Sequence, residues 1–453
     1  MNTSTLVRHS VLVILSLLVV GCLPQIAGDA PAVGSQVTDE PVFVTPALLT
    51  IVEAATSTPV PTPAPSPTST LPDEELPLAE ASYRIPLTIR HVTQTEVTLF
   101  FELDRPSLAI LVVRPREAAA QTVEVKLDPA QTRHLVTVGD LRPDTGYEAV
   151  VALEAGTNGF QQPAFLSRAW GPVSFQTPSE SGSLRVGVVG DASFGDPVTS
   201  AIVEQMAGAG LDFALHTGDV VDETEQGVDP FQSYAAKFYT PFAPLLTQMP
   251  VYTVIGNHDY DADIRWQDAP FYYHVFPPFP DPSFPTQADR PRNQYYAFVY
   301  QDVQFLMLDS QVFFGQPGRE EQEVWLAKRL ADPRFRMTIP VFHVSPFSSS
   351  TVHPTDSLPV RYEWTPLFAA ANVPVVFSGH FHQYERLASS GVTYIVSGGG
   401  SATLYAPGEL LPENQVFRRA SHYVLLDIGQ DGIQLSAFSP GGEVIDQVNL
   451  SPQ

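Results

Sequence analysis

The sequence predicts an α/β fold over residues 183–453, preceded by an all-β sandwich over residues 83–177. Three observations carry that prediction. Between 83 and 177 apolar residues alternate with period two, turn signals separate the runs, and no amphipathic helical stretch interrupts them. From about Leu184 strand-like runs alternate with helical ones, the pattern of an α/β domain. Several of those apolar runs end in Gly-Asp, Gly-Asn or Gly-His, which sets polar clusters just beyond strand ends, where loops gather along one rim of a sheet.

At the N-terminus, Arg8 and His9 precede the apolar run 11–20, and Gly21-Cys22 follows. The run is too short to span a bilayer comfortably and reads as the apolar region of a signal peptide. Val19-Val20-Gly21-Cys22 resembles a bacterial lipobox, so residues 1–22 are expected to be a signal peptide with Cys22 the lipidated residue and anchor to the membrane. An ordinary secretion signal or an uncleaved anchor is the alternative. Cys22 is the sole cysteine, which excludes an intramolecular disulfide. Residues 23–82 hold few periodic signals and include the Pro/Thr/Ser tract TSTPVPTPAPSP. Such a segment buries too little apolar area to offset its ordering entropy and reads as a disordered linker.

In the sandwich, 95–102 and 122–127 alternate cleanly as strands. Leu141-Arg142-Pro143-Asp144-Thr145-Gly146-Tyr147 precedes another strand at 148–153, placing a Tyr where its hydroxyl can bond upstream backbone, as in a tyrosine corner. The segment is similar to a fibronectin type III-like sandwich, read as structural rather than ligand-binding.

In the α/β part, 184–189 and 251–255 are strands, and 197–209 reads as a helix. Residues 320–330 form an amphipathic helix, and the strand 373–377 leads into a histidine pair. The strand-like stretch 423–427 is expected to complete the second sheet. With 24 Lys plus Arg against 49 Asp plus Glu the formal charge is −25, which argues against nucleic-acid polymers as partners. It leaves room for a small phosphate ester, because metal ions supply positive charge locally.

The polar clusters are Gly190-Asp191, Gly218-Asp219-Val220-Val221-Asp222, Gly256-Asn257-His258-Asp259, the isolated His343, and Gly379-His380-Phe381-His382. Each Gly-Asp permits the sharp turn by which a carboxylate leaves its strand. Asn257 offers a neutral carbonyl oxygen. His380 and His382, two apart, project to the same side of an extended segment. Carboxylates, an amide and imidazoles in this order are the ligand set of a two-metal hydrolytic centre.

The series GD, GDVVD, GNHD, His343 and GHFH resembles the calcineurin-like metallophosphoesterase superfamily. The run Gly379-His380-Phe381-His382-Gln383-Tyr384-Glu385-Arg386 is similar to its purple acid phosphatase branch, which also carries a fibronectin-like N-terminal domain. The resemblance implies a four-layer sandwich of two central sheets flanked by helices, and a dinuclear hydrolase of phosphate esters. It implies one metal held by Asp191 and His382, a second by Asn257, His343 and His380, and Asp219 bridging them. The ions would be iron, zinc or manganese. His258 would protonate the leaving oxygen, and no protein nucleophile would be needed.

Two departures from the family pattern matter. Asp222 stands where the purple branch has a Tyr whose phenolate binds ferric iron, so a colourless protein is expected. Ser193 stands where other branches place a metal-binding His. Asp222 is expected to orient His258, with simple solvation in a loop as the alternative. His353 is a candidate contact for substrate phosphate, or else an exposed loop residue. The small phosphoester substrate could be a monoester or a diester, and a surface binding protein without turnover is the reading from another class.

Overall fold

The computed structural model describes residues 78–117, 122–154, 159–222, 229–260, 268–279 and 294–451. The signal peptide, Cys22 and most of the expected linker therefore lie outside the described residues. The first strand, Leu78–Val92, starts ahead of the expected boundary at 83, because Leu78 and Ser82 already pair with Gln162 and Ala164.

Strands from Leu78 to Gln176 build the β-sandwich. Val97–Leu103 pairs antiparallel with the first strand, and Ala109–Pro115 with Gly146–Glu154. Tyr147 is fully buried, stacks on Phe175 with ring centroids 5.5 Å apart, and accepts the Arg142 amide N–H at 2.8 Å. This is the corner that the sequence places there.

Two sheets follow. The six-stranded sheet runs Val251–Thr253, Phe213–His216, Leu184–Val189, Tyr423–Gly429, Gly432–Phe438, Val444–Leu450. The first three are mutually parallel, and the C-terminal strands extend them antiparallel. The stretch expected to complete the second sheet thus completes the first, since Leu184 to Val188 pair with Ile428 to Val424. Local alternation is identical for either partner, so the sequence did not distinguish them. The seven-stranded sheet runs Tyr296–Tyr300, Val303–Met307, Met337–Val344, Val375–Gly379, Val392–Ser397, Tyr384–Ser389, Asn414–Arg418, with parallel pairing from Val303–Met307 through Val392–Ser397.

The sheets face each other across an apolar core that includes Val186, Val188, Phe213, Phe305, Ile339, Phe377 and Leu426. Helix Pro197–Ala207 covers the far face of the first sheet through Ile202, Val203 and Met206. Its start follows from Asp196, whose carboxylate accepts the Thr199 N–H at 2.8 Å, with Pro197 at the first turn. Helices Arg319–Leu330 and Ser357–Ala370 cover the second sheet through Trp325, Leu326, Trp364 and Phe368. The result is the expected four-layer α/β arrangement.

The sandwich shares a core cluster with the helical layer on the first α/β sheet. Arg84 lies 3.7 Å over the Phe231 ring, and Ser174 N–H donates to the Thr247 carbonyl at 2.7 Å. The short helix Pro270–Val275 is gripped by the sandwich: its His274 pairs with Glu102, and Arg133 donates to the His274 carbonyl at 3.1 Å.

Replacing Tyr147 by Phe keeps the stacking and removes the bond to Arg142. The expected loss is about 1 kcal/mol, the net worth of one such bond, read from urea denaturation monitored by circular dichroism. An unchanged midpoint would show that the corner does not contribute.

Candidate metal centre

All the ligand candidates sit at the C-terminal ends of parallel strands. Asp191 follows Leu184–Val189, Asp219 follows Phe213–His216, and Asn257 and His258 follow Val251–Thr253. His343 lies near the end of Met337–Val344, and His380 and His382 follow Val375–Gly379. Because the two sheets stack, both rims open on one place.

Close approach requires glycine. A Cβ on Gly379 would overlap Asp191 Oδ2, and one on Gly256 would overlap Asp219 Oδ1. Asp191, Asp219 and His380 themselves adopt left-handed backbone with φ of 55°, 52° and 68°, costing roughly 1–2 kcal/mol each. Surrounding bonds hold them there. The His380 N–H donates to both Asp191 oxygens at 3.1 and 3.0 Å, and the His258 N–H donates to Asp219 Oδ1 at 2.9 Å.

Hydrogen bonds on the far side of each ring fix the tautomers. His343 Nδ1–H donates to the Thr217 carbonyl at 2.9 Å, so its Nε2 lone pair faces Asn257 Oδ1 at 3.0 Å and Asp219 Oδ1 at 3.3 Å. His382 Nδ1–H donates to the Thr403 carbonyl at 3.1 Å, leaving Nε2 3.4 Å from Asp191 Oδ1. His380 Nε2 lies 3.0 Å from Asp356 Oδ2, and its Nδ1 lies 2.9 Å from Asn257 Oδ1. Acceptors therefore point at acceptors. Such a cluster repels itself unless positive charge enters it, and all six residues fit a pair of cations. Asp191, Asp219 and His343 alone bring ligand atoms within 4.8 Å of one another.

The electrostatics show the same demand for positive charge, met here by a proton on His343. Burial works against charge on His343, yet adjacent Asp219 outweighs it and pushes the imidazole up to about 9. Burial would likewise raise Asp219, but His343 and then His258 hold it below the usual carboxylate range. For His382 burial is opposed and overcome by Asp191, which raises it.

The expected pairing of the Asp222 carboxylate with His258 is replaced by a different one. His258 Nδ1–H donates to the Asp222 backbone carbonyl at 2.6 Å, while the carboxylate pairs with Lys237. A carboxylate beside an ammonium gains more than one beside a neutral ring, and Lys237 wins the side chain. Ser193 is buried in the loop after Asp191. His353, at φ 55°, lies with its ring centroid 4.8 Å from that of His380 and its Nδ1 3.4 Å from Asp356 Oδ2.

Three neighbours were not singled out from the sequence. Asp356, three residues after His353, receives both His353 and His380, and with them makes a second group of possible ligands. Tyr405 stacks on His382 with centroids 4.3 Å apart and planes at 6°. Asp259 is 1% exposed; its Oδ1 accepts N–H groups of Val220 and Val221 at 2.9 and 3.3 Å, and its Oδ2 that of Gly256 at 2.8 Å. The last was visible as the D of GNHD. The other two lie in loops with no local pattern.

Residues 184–384 match the calcineurin-like phosphoesterase family. The chain is 26% identical over 307 residues to a probable purple acid phosphatase 20 of Arabidopsis thaliana, covering 63% of this chain and 65% of that protein. It is 26% identical over 257 residues to purple acid phosphatase 22 of the same plant, covering 56% and 53%. The matches thus span about half to two thirds of the length of these curated relatives. Purple acid phosphatase PPD1 from yellow lupin (Lupinus luteus) seeds has a TM-score of 0.64 at 16% identity, covering 81% of this chain and 74% of that one, a likeness of fold. All six ligand candidates fall within the matched residues. These relatives and the structural neighbour are purple acid phosphatases.

Asp259→Asn would turn an amide NH2 towards one of the backbone N–H groups now bonded to a carboxylate oxygen. The expected cost is about 1–3 kcal/mol, with weaker retention of both ions. Elemental analysis and thermal denaturation of the variant check this; wild-type metal content and stability would contradict it.

Proposed function

We propose that this chain hydrolyses phosphate esters, monoesters first, with two metal ions held by Asp191, Asp219, Asn257, His343, His380 and His382. The observation that carries the reading is the convergence of carboxylate, amide and imidazole ligand atoms at the shared rim of the two sheets. In the assignment implied by the family, Asp191 and His382 hold one ion, Asn257, His343 and His380 the other, and Asp219 both. When bound, the ions supply Lewis acidity at the phosphoryl group and lower the pKa of attacking water.

The protein groups do the rest. His258 keeps one ring proton on the Asp222 carbonyl, so in the imidazolium the Nε2 proton is the one to pass to the leaving oxygen. Asp222 thus serves through its backbone. His353 is proposed to meet the phosphate from the loop opposite, beside His380. Without a tyrosine at position 222 the centre is proposed to be colourless, with iron, zinc or manganese as its ions. Gly398 to Gly400 have no following Lys-Ser/Thr, so no nucleotide phosphate loop is assigned there.

The division into residues 1–22, 23–82, 83–177 and 183–453 belongs to the same proposal, with Cys22 anchoring an exported enzyme at a bacterial cell surface or in the periplasm. Among the described residues no helix is long and apolar enough to cross a membrane. The diesterase or nucleotidase reading uses the same ligands. A surface binding protein without turnover is favoured only by Ser193, where a further ligand could have stood.

The metal-loaded protein should cleave p-nitrophenyl phosphate faster than bis-p-nitrophenyl phosphate and lose activity to chelators. On an alkyl phosphate, whose leaving oxygen needs a proton, His258→Ala should retain both ions and lose about 10²–10⁴-fold in kcat, whereas Asp219→Ala should lose the ions. A fully loaded wild type inert on every phosphoester in a panel would leave the binding-protein reading standing. Separately, Cys22→Ser should move the protein from the membrane to the soluble fraction on cell fractionation; unchanged membrane association would rule out the lipid anchor.

A further inference from the structure

We infer that Lys237 is a positioning residue for His258, acting through Asp222. The segment from Asp219 to Asp222 is pinned at successive points. Asp219 receives the His258 N–H, Val220 and Val221 are fully buried with their amides on Asp259, and the Asp222 carboxylate is held by Lys237. The Asp222 carbonyl then faces His258 Nδ1 at 2.6 Å, and no other bond to that ring is formed among the described residues. Orientation of the Asp222 peptide therefore sets the ring.

Lys237 is well placed for the task. It sits in the π-helical turn Ala235–Tyr239, a widened turn of a kind that recurs at functional sites. Its side chain and that of Asp222 are 20% and 28% exposed, so water screens the pair less than a surface bridge. The same turn also abuts the loop after Asp191. A Cβ on Gly195, which has φ 61°, would come within 2.9 Å of the Ala236 carbonyl and 3.1 Å of Lys237 Cα. One turn thus braces the loop behind a metal-ligand aspartate and the peptide that aims the proposed acid.

The geometry stands by itself, while the role rests on the hydrolytic reading above. Two measurements keep them apart. Imidazole NMR should show a slowly exchanging His258 Nδ1–H in the wild type and in Lys237→Arg, and its loss in Lys237→Met; retention in Lys237→Met overturns the inference whatever the activity. In kinetics, Lys237→Met should keep its metal content and KM. Its kcat should fall about tenfold on an alkyl phosphate, whose leaving oxygen needs a proton, and little on p-nitrophenyl phosphate. Lys237→Arg should restore the alkyl rate. An equal fall on both esters, or loss of metal, would mean that Lys237 is merely structural. A metal-loaded wild type inactive on both esters defeats the hydrolytic reading and the kinetic role with it, while the NMR result still decides whether Lys237 sets the ring.

Discussion

Lone pairs facing lone pairs are the constraint around which this molecule is organised. Asp191, Asp219, Asn257, His343, His380 and His382 bring oxygens and inward-facing ring nitrogens to within about one hydrogen-bond length of each other. Left to itself, such a group would fly apart or take up protons. It persists because five of the six are tied from behind: imidazoles by Thr217, Thr403 and Asp356, carboxylates by backbone amides. Cost is spread over the fold as left-handed backbone at three of the six positions.

The two-sheet core makes that arrangement rigid. Three ligand clusters come from one sheet and three histidines from the other, so their separation depends on how the sheets stack. Phe213, Phe298 and Phe305 interlock between the layers, Phe213 meeting both edge-on at 5.3 and 5.1 Å, which leaves little freedom to slide. Helices on the outer faces then bury the remaining apolar sides, and one of them begins at Asp356, beside His380.

Much of the site was legible because its glycines and ligands are neighbours in sequence. Gly190-Asp191, Gly218-Asp219 and Gly256-Asn257 each announce a strand end and a turn at once, and the histidine pair announces a third. The strands at 184–189 and 251–253 were legible for the same reason, apolar runs stopped by a glycine, the second ending two residues short of the expected 255. What escaped was long-range. Nothing near 423–427 says which sheet edge it will join, since antiparallel alternation looks alike at either. Asp222 was read correctly as a neighbour of His258, but by its carboxylate; only the folded chain brings Lys237 close enough to claim that group. Asp356 and Tyr405 sit in irregular loops and carry no periodicity at all.

The grip of the sandwich on the helix Pro270–Val275 bears on how the protein can be taken apart. That helix belongs to the connection leading away from His258 towards the second sheet, and Glu102 and Arg133 hold it from outside. Trimming away residues 78–177 would bare Phe231 and Phe276 and strip this connection of its support. The two folded parts thus share one apolar core, with the N-terminal strands acting as a splint on the α/β region.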